Sequence, residues 1–170
     1  MAETDLIKSK RRERFFRYAP LILWIGIVFF LSSGQGSTTR TSPLIRPLLE
    51  FIFSGAAEET LIIYQGYIRK FAHFAEYAAL AFFASRAFWN SAIRLLRKFW
   101  QFAAFVLVFT IAAIDEYNQS FNSLRTGSIY DVLIDLSGGL VMIFILTISQ
   151  KNRQKAVAEK SARFKFRKNI

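Results

Sequence analysis

The chain has 170 residues, no cysteine and a formal net charge of +11, and 53% of it is apolar. That length allows one domain, the missing cysteines exclude a disulfide framework and a thiolate metal site, and the apolar share is too high for an ordinary soluble protein. The basic residues flank apolar runs instead of interleaving with aromatic ones, so the charge points to anionic lipid and membrane topology and not to nucleic acid.

An N-terminal tail, 1–17, holds six Lys and Arg and leads into the first apolar run, YAPLILWIGIVFFLSS at 18–33. A cleaved signal peptide has a similar layout. This run is longer than most signal-peptide cores, however, and FLSSGQGS offers no small-x-small cleavage site, so a retained anchor helix is expected. In the following loop, 34–68, SPLIRPLLEFIFSG spaces its apolar residues close to a helical period, and Pro43 suits a helix start. A short helix lying in the outer membrane interface is expected there. AAEETLIIYQGYIRK then leads into the second run, FAHFAEYAALAFFASRAFW at 71–89, with Gly66 expected to mark a break just before it.

The link RAFWNSAIRLLRK carries four basic residues. The third run, FWQFAAFVLVFTIAAI at 99–114, continues into DEYNQ, and the fourth is IYDVLIDLSGGLVMIFILTIS at 129–149. A basic C-terminal tail, 150–170, is expected to lie on anionic lipid or to be mobile. Each run has roughly 16–21 residues, and about 20 are needed to cross a ~30 Å hydrocarbon core. The fold class expected is therefore all-α and polytopic: a membrane domain over 18–149 with four transmembrane helices. The tail, the link and the C-terminal tail fall on one side, and only Arg40, Arg46, Arg69, Lys70 and Arg125 on the other. The positive-inside rule then makes both termini cytoplasmic, in a plasma (inner) membrane.

This topology puts the ionisable residues of the apolar runs at one depth. His73 and Glu76 lie in the outer half of the second helix, Asp115 and Glu116 at the outer end of the third, and Asp131 and Asp135 in the first turns of the fourth. Arg86, at the inner end of the second helix, can snorkel to the cytoplasm. At about 100° per residue, Arg69, Lys70, His73, Glu76 and Tyr77 share roughly a 120° arc. Asp115 and Gln119 are one turn apart, as are Asp131 and Asp135, and Gly138 on the latter stripe could let a neighbouring helix approach. A charge at bilayer depth costs about 2.5–3.5 kcal/mol even on the lenient insertion scale. These groups are therefore expected to face one another and share cations in one outward-facing pocket.

Four stretches in order, WIGIVFFLSSGQ, RKFAHFAEYA, DEYNQSF and the R-x-x-S-x-x-D-V-L pattern from Arg125 to Leu133, resemble the VanZ-like family of bacterial membrane proteins. The resemblance spans about 20–145. It departs from the family at Asp135, where asparagine is common, and in SFNSLRTGS, which lacks a usual proline. The family is named for resistance to teicoplanin, a glycopeptide antibiotic, and implies a phenotype without a reaction.

The residues support three functional readings. In the first, the pocket (Arg69, Lys70, His73, Glu76, Tyr77, Asp115, Glu116, Gln119, Arg125, Asp131 and Asp135) binds an envelope lipid headgroup or a glycopeptide-type amphiphile. In the second, the protein is a membrane-embedded hydrolase or transferase acting on lipid-linked envelope substrates, with Glu76 or His73 as general base. The third, a proton-coupled transporter, is disfavoured because the inner half of the helices carries no relay of ionisable groups. One imidazole with several carboxylates would suit Zn²⁺, Mn²⁺ or Mg²⁺ and could assist the enzyme reading, but no HExxH or paired-histidine spacing supports a metal and no Gly-rich loop a nucleotide, so neither a metal nor a cofactor is expected.

Overall fold

The computed structural model describes residues 2–32, 38–121 and 129–168, and the regular elements among them are all helices. Helix α1 (Ala2–Phe30) begins in the basic tail and runs through Pro20 into the first apolar run. Pro20 has no N–H to donate, so the helix gives up one backbone bond there and continues. Leu21, Val28 and Ser32 are buried, with Tyr18 and Trp24 partly so on the same stripe, while Ile22, Leu23 and Phe30 face outward.

Helix α2 (Thr38–Ile52) occupies the expected place in the first loop, although it starts five residues before Pro43. The turn after it needs a left-handed residue, and Gly55 supplies it at φ 91°. Arg46 ties this hairpin together. It donates to Glu50 at 2.8 Å and to Glu58 at the start of the next helix, and these two carboxylates push the guanidinium pKa up. Ser42 Oγ also donates to Gln65 Oε1 at 3.1 Å.

Helix α3 (Glu58–Trp89) is continuous, so the break expected at Gly66 does not occur. Gly66 has open space around it, and a lone helical glycine costs only about 1 kcal/mol, too little to interrupt a packed helix. Its buried face is Tyr77, Leu80, Ala81, Ala84, Ser85 and Ala87, mostly small residues that let neighbours come close. Asn90 ends the helix by donating from Nδ2 to the Arg86 carbonyl at 2.9 Å. A one-turn helix, α4 (Arg94–Lys98), leads into α5 (Trp100–Ser120). Helix α6 (Ile129–Lys168) then carries on through the C-terminal tail. The tail is therefore helical, and 151–161 are exposed throughout, since nothing packs on them.

By length and composition two helices are apolar enough to cross a membrane, α5 (Trp100–Ser120) and the Ile129–Ser161 part of α6. Only 39% and 22% of their apolar windows are buried, which does not fit the core helices of a soluble protein and leaves a large apolar surface for lipid. The four expected crossings thus reduce to two on this criterion. The second run falls short because His73, Glu76 and Arg86 lie within it, and the first because its helical part is brief between Arg17 and Phe30. Apolar side chains such as Phe71, Phe102, Phe109, Leu140 and Phe144 are nonetheless exposed on α3, α5 and α6. Such outward apolar faces on long helices give the chain membrane-helix character.

Two contact layers fix how the helices run. At one end, Trp89 of α3 meets Trp100 of α5 edge to face at 5.4 Å, and Tyr18 of α1 hydrogen-bonds Ser91 Oγ at 2.8 Å. At the other end, His73 of α3 meets Asp135 of α6, and Ser32, just past the end of α1, meets Gln119 of α5. Helices α1 and α5 therefore run one way, and α3 and α6 the other. The layers are separated by about 15 residues of helix, or roughly 22 Å at 1.5 Å per residue. Between them, α6 is drawn against both partners by a glycine pair. A Cβ on Gly138 would lie 2.1 Å from the Phe74 carbonyl oxygen, and one on Gly139 would lie 2.8 Å from Val108 Cγ1.

Candidate functional site

The buried stripe of α5 changes character along its length. Trp100, Ala104, Val108, Ile111 and Ala112 are apolar, and the same face then presents Asp115, Glu116 and Gln119. Because this face is already directed at α3 and α6, the acids are carried into the interior with it. Asp115 is 2% exposed and Asp135, which follows Val132 on the buried face of α6, is 1% exposed. The close approach at Gly138 sets Asp135 opposite α3, one turn from Phe74.

His73 Nδ1 lies 3.4 Å from Asp135 Oδ1. The ligating atoms of His73, Asp115 and Asp135 all lie within 4.8 Å of one another. Gln119 Nε2 donates to Asp115 Oδ2 at 2.9 Å and to Ser32 Oγ at 3.3 Å, which holds that carboxylate from behind. Asp115 Oδ1 and the Tyr77 hydroxyl are buried, and the hydroxyl meets Asp115 only at the margin of hydrogen-bond geometry. Tyr77 is 0% exposed and lies within electrostatic reach of Asp115, Asp135 and Glu76. Glu116 is buried alongside and acts electrostatically on Asp135.

The remaining residues of the expected pocket are placed differently. Glu76 and Arg69 are half-buried, and the Glu76 carbonyl accepts a hydrogen bond from Trp24 Nε1 at 3.0 Å. Lys70 is exposed and Asp131 half-exposed, and neither makes a hydrogen bond or ion pair among the described residues. Arg125, expected as a cation of the same pocket, lies outside the described residues. The expected face-to-face arrangement is thus met most closely by His73, Tyr77, Asp115, Glu116, Gln119 and Asp135.

Two residues join the site from α1 and the turn that follows it without having been singled out for it, Trp24 and Ser32. Both belong to WIGIVFFLSSGQ, so the signal lay in that stretch, but the spacing within one helix cannot tell which neighbour it touches. The apolar and acidic groups in this layer could hold a cation or a hydrogen-bond donor. At the opposite end, a cavity of about 780 Å³ is lined by Arg97, Lys98, Lys151 and Arg153 together with Trp89 and Trp100.

No curated protein and no solved structure is significantly similar to this chain. The profile of one family, VanZ/LLP1, matches residues 16–150, which take in all four resembling stretches and every residue of the buried cluster. The chain belongs to the VanZ/LLP1 family.

Proposed function

We propose that this protein is a multi-pass protein of the bacterial plasma membrane, crossed by α1, α3, α5 and the apolar part of α6, with α2 in the outer interface and both termini in the cytoplasm. Its outward-facing pocket binds the headgroup of an envelope lipid or a lipid-like amphiphile, and through this it alters susceptibility to lipid-tailed glycopeptides such as teicoplanin. The observation that carries this reading is the gathering of one histidine and three buried acids, from three helices, at a single end of an otherwise apolar bundle. Buried carboxylates in so apolar a setting need a positive or donor-rich partner. The acidic centre accordingly takes the cationic or hydrogen-donating part of the headgroup. Arg69 and Lys70, with Arg125, meet its anionic part. The basic residues around the opposite cavity support a cytoplasmic placement of that end.

The test is susceptibility to teicoplanin and vancomycin in a sensitive Gram-positive host. Empty vector, wild type and the Glu76→Gln, Asp115→Asn double variant are compared at equal membrane abundance. Protection from teicoplanin alone, lost in the double variant, is expected. Protection that survives the double variant would refute a pocket-based mechanism.

A second reading is favoured by the His73–Asp135 contact, since an imidazole oriented by a carboxylate is a common general-base arrangement. It makes the protein a hydrolase or transferase on lipid-linked envelope substrates. A changed lipid profile on expression, reversed by His73→Gln, is its expected sign, and an unchanged profile would remove it.

A further inference from the structure

The headgroup reading leaves the centre of the cluster unexplained. Asp115 and Asp135 come within 4.8 Å of each other, almost fully buried, and neither is paired with Lys or Arg among the described residues. Two carboxylates this close cannot both ionise in a dry interior without positive charge beside them, from a protonated His73 or from a bound cation. The C-terminal part of α5 adds the negative end of a helix dipole at the same place, which strengthens the demand for positive charge. An imidazole stands opposite both acids. We propose that His73, Asp115 and Asp135 form a binding site for one zinc ion, held between α3, α5 and α6 at the end of the bundle away from the Trp89–Trp100 contact.

Three observations support the assignment beyond the presence of acids. First, the donor set mixes one nitrogen and two carboxylate oxygens, which suits Zn²⁺ and not the all-oxygen preference of Ca²⁺ or Mg²⁺. Second, the spacing is near what such an ion requires. Bonds of about 2.0–2.2 Å in a tetrahedron put ligand atoms roughly 3.3–3.6 Å apart; His73 Nδ1 to Asp135 Oδ1 is 3.4 Å, and with all three ligand atoms within 4.8 Å the set closes on an ion by a shift of about 1 Å. Third, the polar atoms around the gap are only loosely met. Asp115 uses Oδ2 to accept from Gln119, while its Oδ1 and Asp135 Oδ1 are buried without a hydrogen bond of full geometry among the described residues. The Tyr77 hydroxyl, on a wholly buried side chain of α3, faces Asp115 at the margin of hydrogen-bond geometry and lies within electrostatic reach of both aspartates. Gln119 behind Asp115 is the kind of supporting hydrogen bond that orients a metal-ligating carboxylate.

Three protein ligands leave a fourth position for water or for an anionic oxygen of a bound molecule, the arrangement of zinc sites that take part in chemistry or ligand capture. The site stands whether or not a lipid headgroup is the ligand. Zinc binding without any effect on antibiotic susceptibility would sink the headgroup reading alone.

His73 is the sole histidine of the chain, which makes the test direct. The full chain, prepared in detergent micelles without a polyhistidine tag and labelled with ¹⁵N-histidine, gives one imidazole to follow by NMR. After chelator treatment, adding Zn²⁺ is expected to move the Nδ1 resonance of His73 and to leave one zinc per chain after desalting. Asp135→Asn should weaken zinc binding by roughly 100-fold or more, since even supporting residues cost 10–100-fold. Asp131→Asn should leave it within about twofold. An Nδ1 resonance that ignores excess Zn²⁺ in the wild-type chain overturns the proposal and points to a proton shared by the two aspartates instead. The wild-type readout decides the matter even if Asp135→Asn fails to fold.

Discussion

Gly138 of α6 lies directly against the backbone of α3 at Phe74, so close that a methyl group there would come 2.1 Å from the Phe74 carbonyl oxygen. A backbone carbonyl cannot rotate away, so a larger residue must push the two helices apart. The same push would draw Asp135 from His73, which lies one residue before Phe74. Gly138→Ala is expected to destabilise the bundle by roughly 3 kcal/mol, at the upper end of overpacking costs. Gly139→Ala should cost less, because its obstacle is the side chain of Val108. Unfolding of both variants by denaturant in micelles gives the comparison, and a Gly138→Ala chain as stable as wild type would rule out so tight a crossing.

The contact between His73 and Asp135 joins α3 to α6 across 62 positions of sequence, and it should be visible as energetic coupling. Residues in contact typically couple by 0.5–3 kcal/mol, whereas separated ones add to within about 0.5 kcal/mol. His73→Gln with Asp135→Asn is expected to show a coupling of about 1 kcal/mol or more in a double-mutant cycle. His73→Gln with Asp131→Asn, which makes no ion pair among the described residues, should be additive. Equal coupling in the two cycles would mean that His73 does not distinguish the two acids.

Much of this arrangement is legible in the sequence, and the limits are physical. The 3.6-residue period placed Asp115 with Gln119 on one face of α5, and both are buried there. A depth argument set ionisable groups of three apolar runs at one level, and His73, Asp115 and Asp135, one from each run, lie together in the bundle. The pairing across helices was not legible. Glu76, three residues on, is the acid that helical spacing offers to His73, but the structure directs His73 Nδ1 at Asp135, because the glycine contact at Phe74 sets the crossing of α3 and α6. For the same reason no metal spacing could be found: its three ligands come from three helices, and no short motif contains them. The basic composition of the C-terminal tail pointed to anionic lipid or a mobile chain and gave no secondary structure; residues such as Ala156, Ala158, Glu159 and Lys160 are good helix formers, and α6 continues through them.

That extension gives a prediction of its own. Residues 151–161 are exposed along the whole length of the helix, so they contribute little packing. Removal of 156–170 is expected to change bundle stability by no more than about 0.5 kcal/mol, the usual range for surface changes. It removes Lys160, Arg163, Lys165, Arg167 and Lys168. Each basic residue near an anionic surface is worth about 1 kcal/mol. A synthetic 151–170 peptide should therefore bind vesicles containing phosphatidylserine, with helicity rising on binding, and lose that binding in high salt. Loss of bundle stability on truncation would show that the exposed helix packs on something after all.

Two buried hydroxyls separate a structural burden from a functional one. Ser85 Oγ is buried without a hydrogen-bond partner among the described residues, and Tyr77 OH, eight positions earlier on α3, has only a marginal contact with Asp115. An unsatisfied buried polar group costs about 1–3 kcal/mol, so removing either hydroxyl should stabilise the zinc-free chain. Tyr77→Phe and Ser85→Ala are accordingly both expected to raise stability by about 1 kcal/mol in chelator. The two should part company when ligand is present. Tyr77 lies within reach of Asp115 and Asp135, so Tyr77→Phe should weaken zinc binding and any teicoplanin protection. Ser85 lies two turns further along α3 toward the Trp89 end, so Ser85→Ala should leave both unchanged. A Tyr77→Phe chain that is less stable than wild type in chelator would mean that the hydroxyl is already satisfied within the bundle. In that case it is a structural tie between α3 and α5, and its availability to a ligand falls away as an argument.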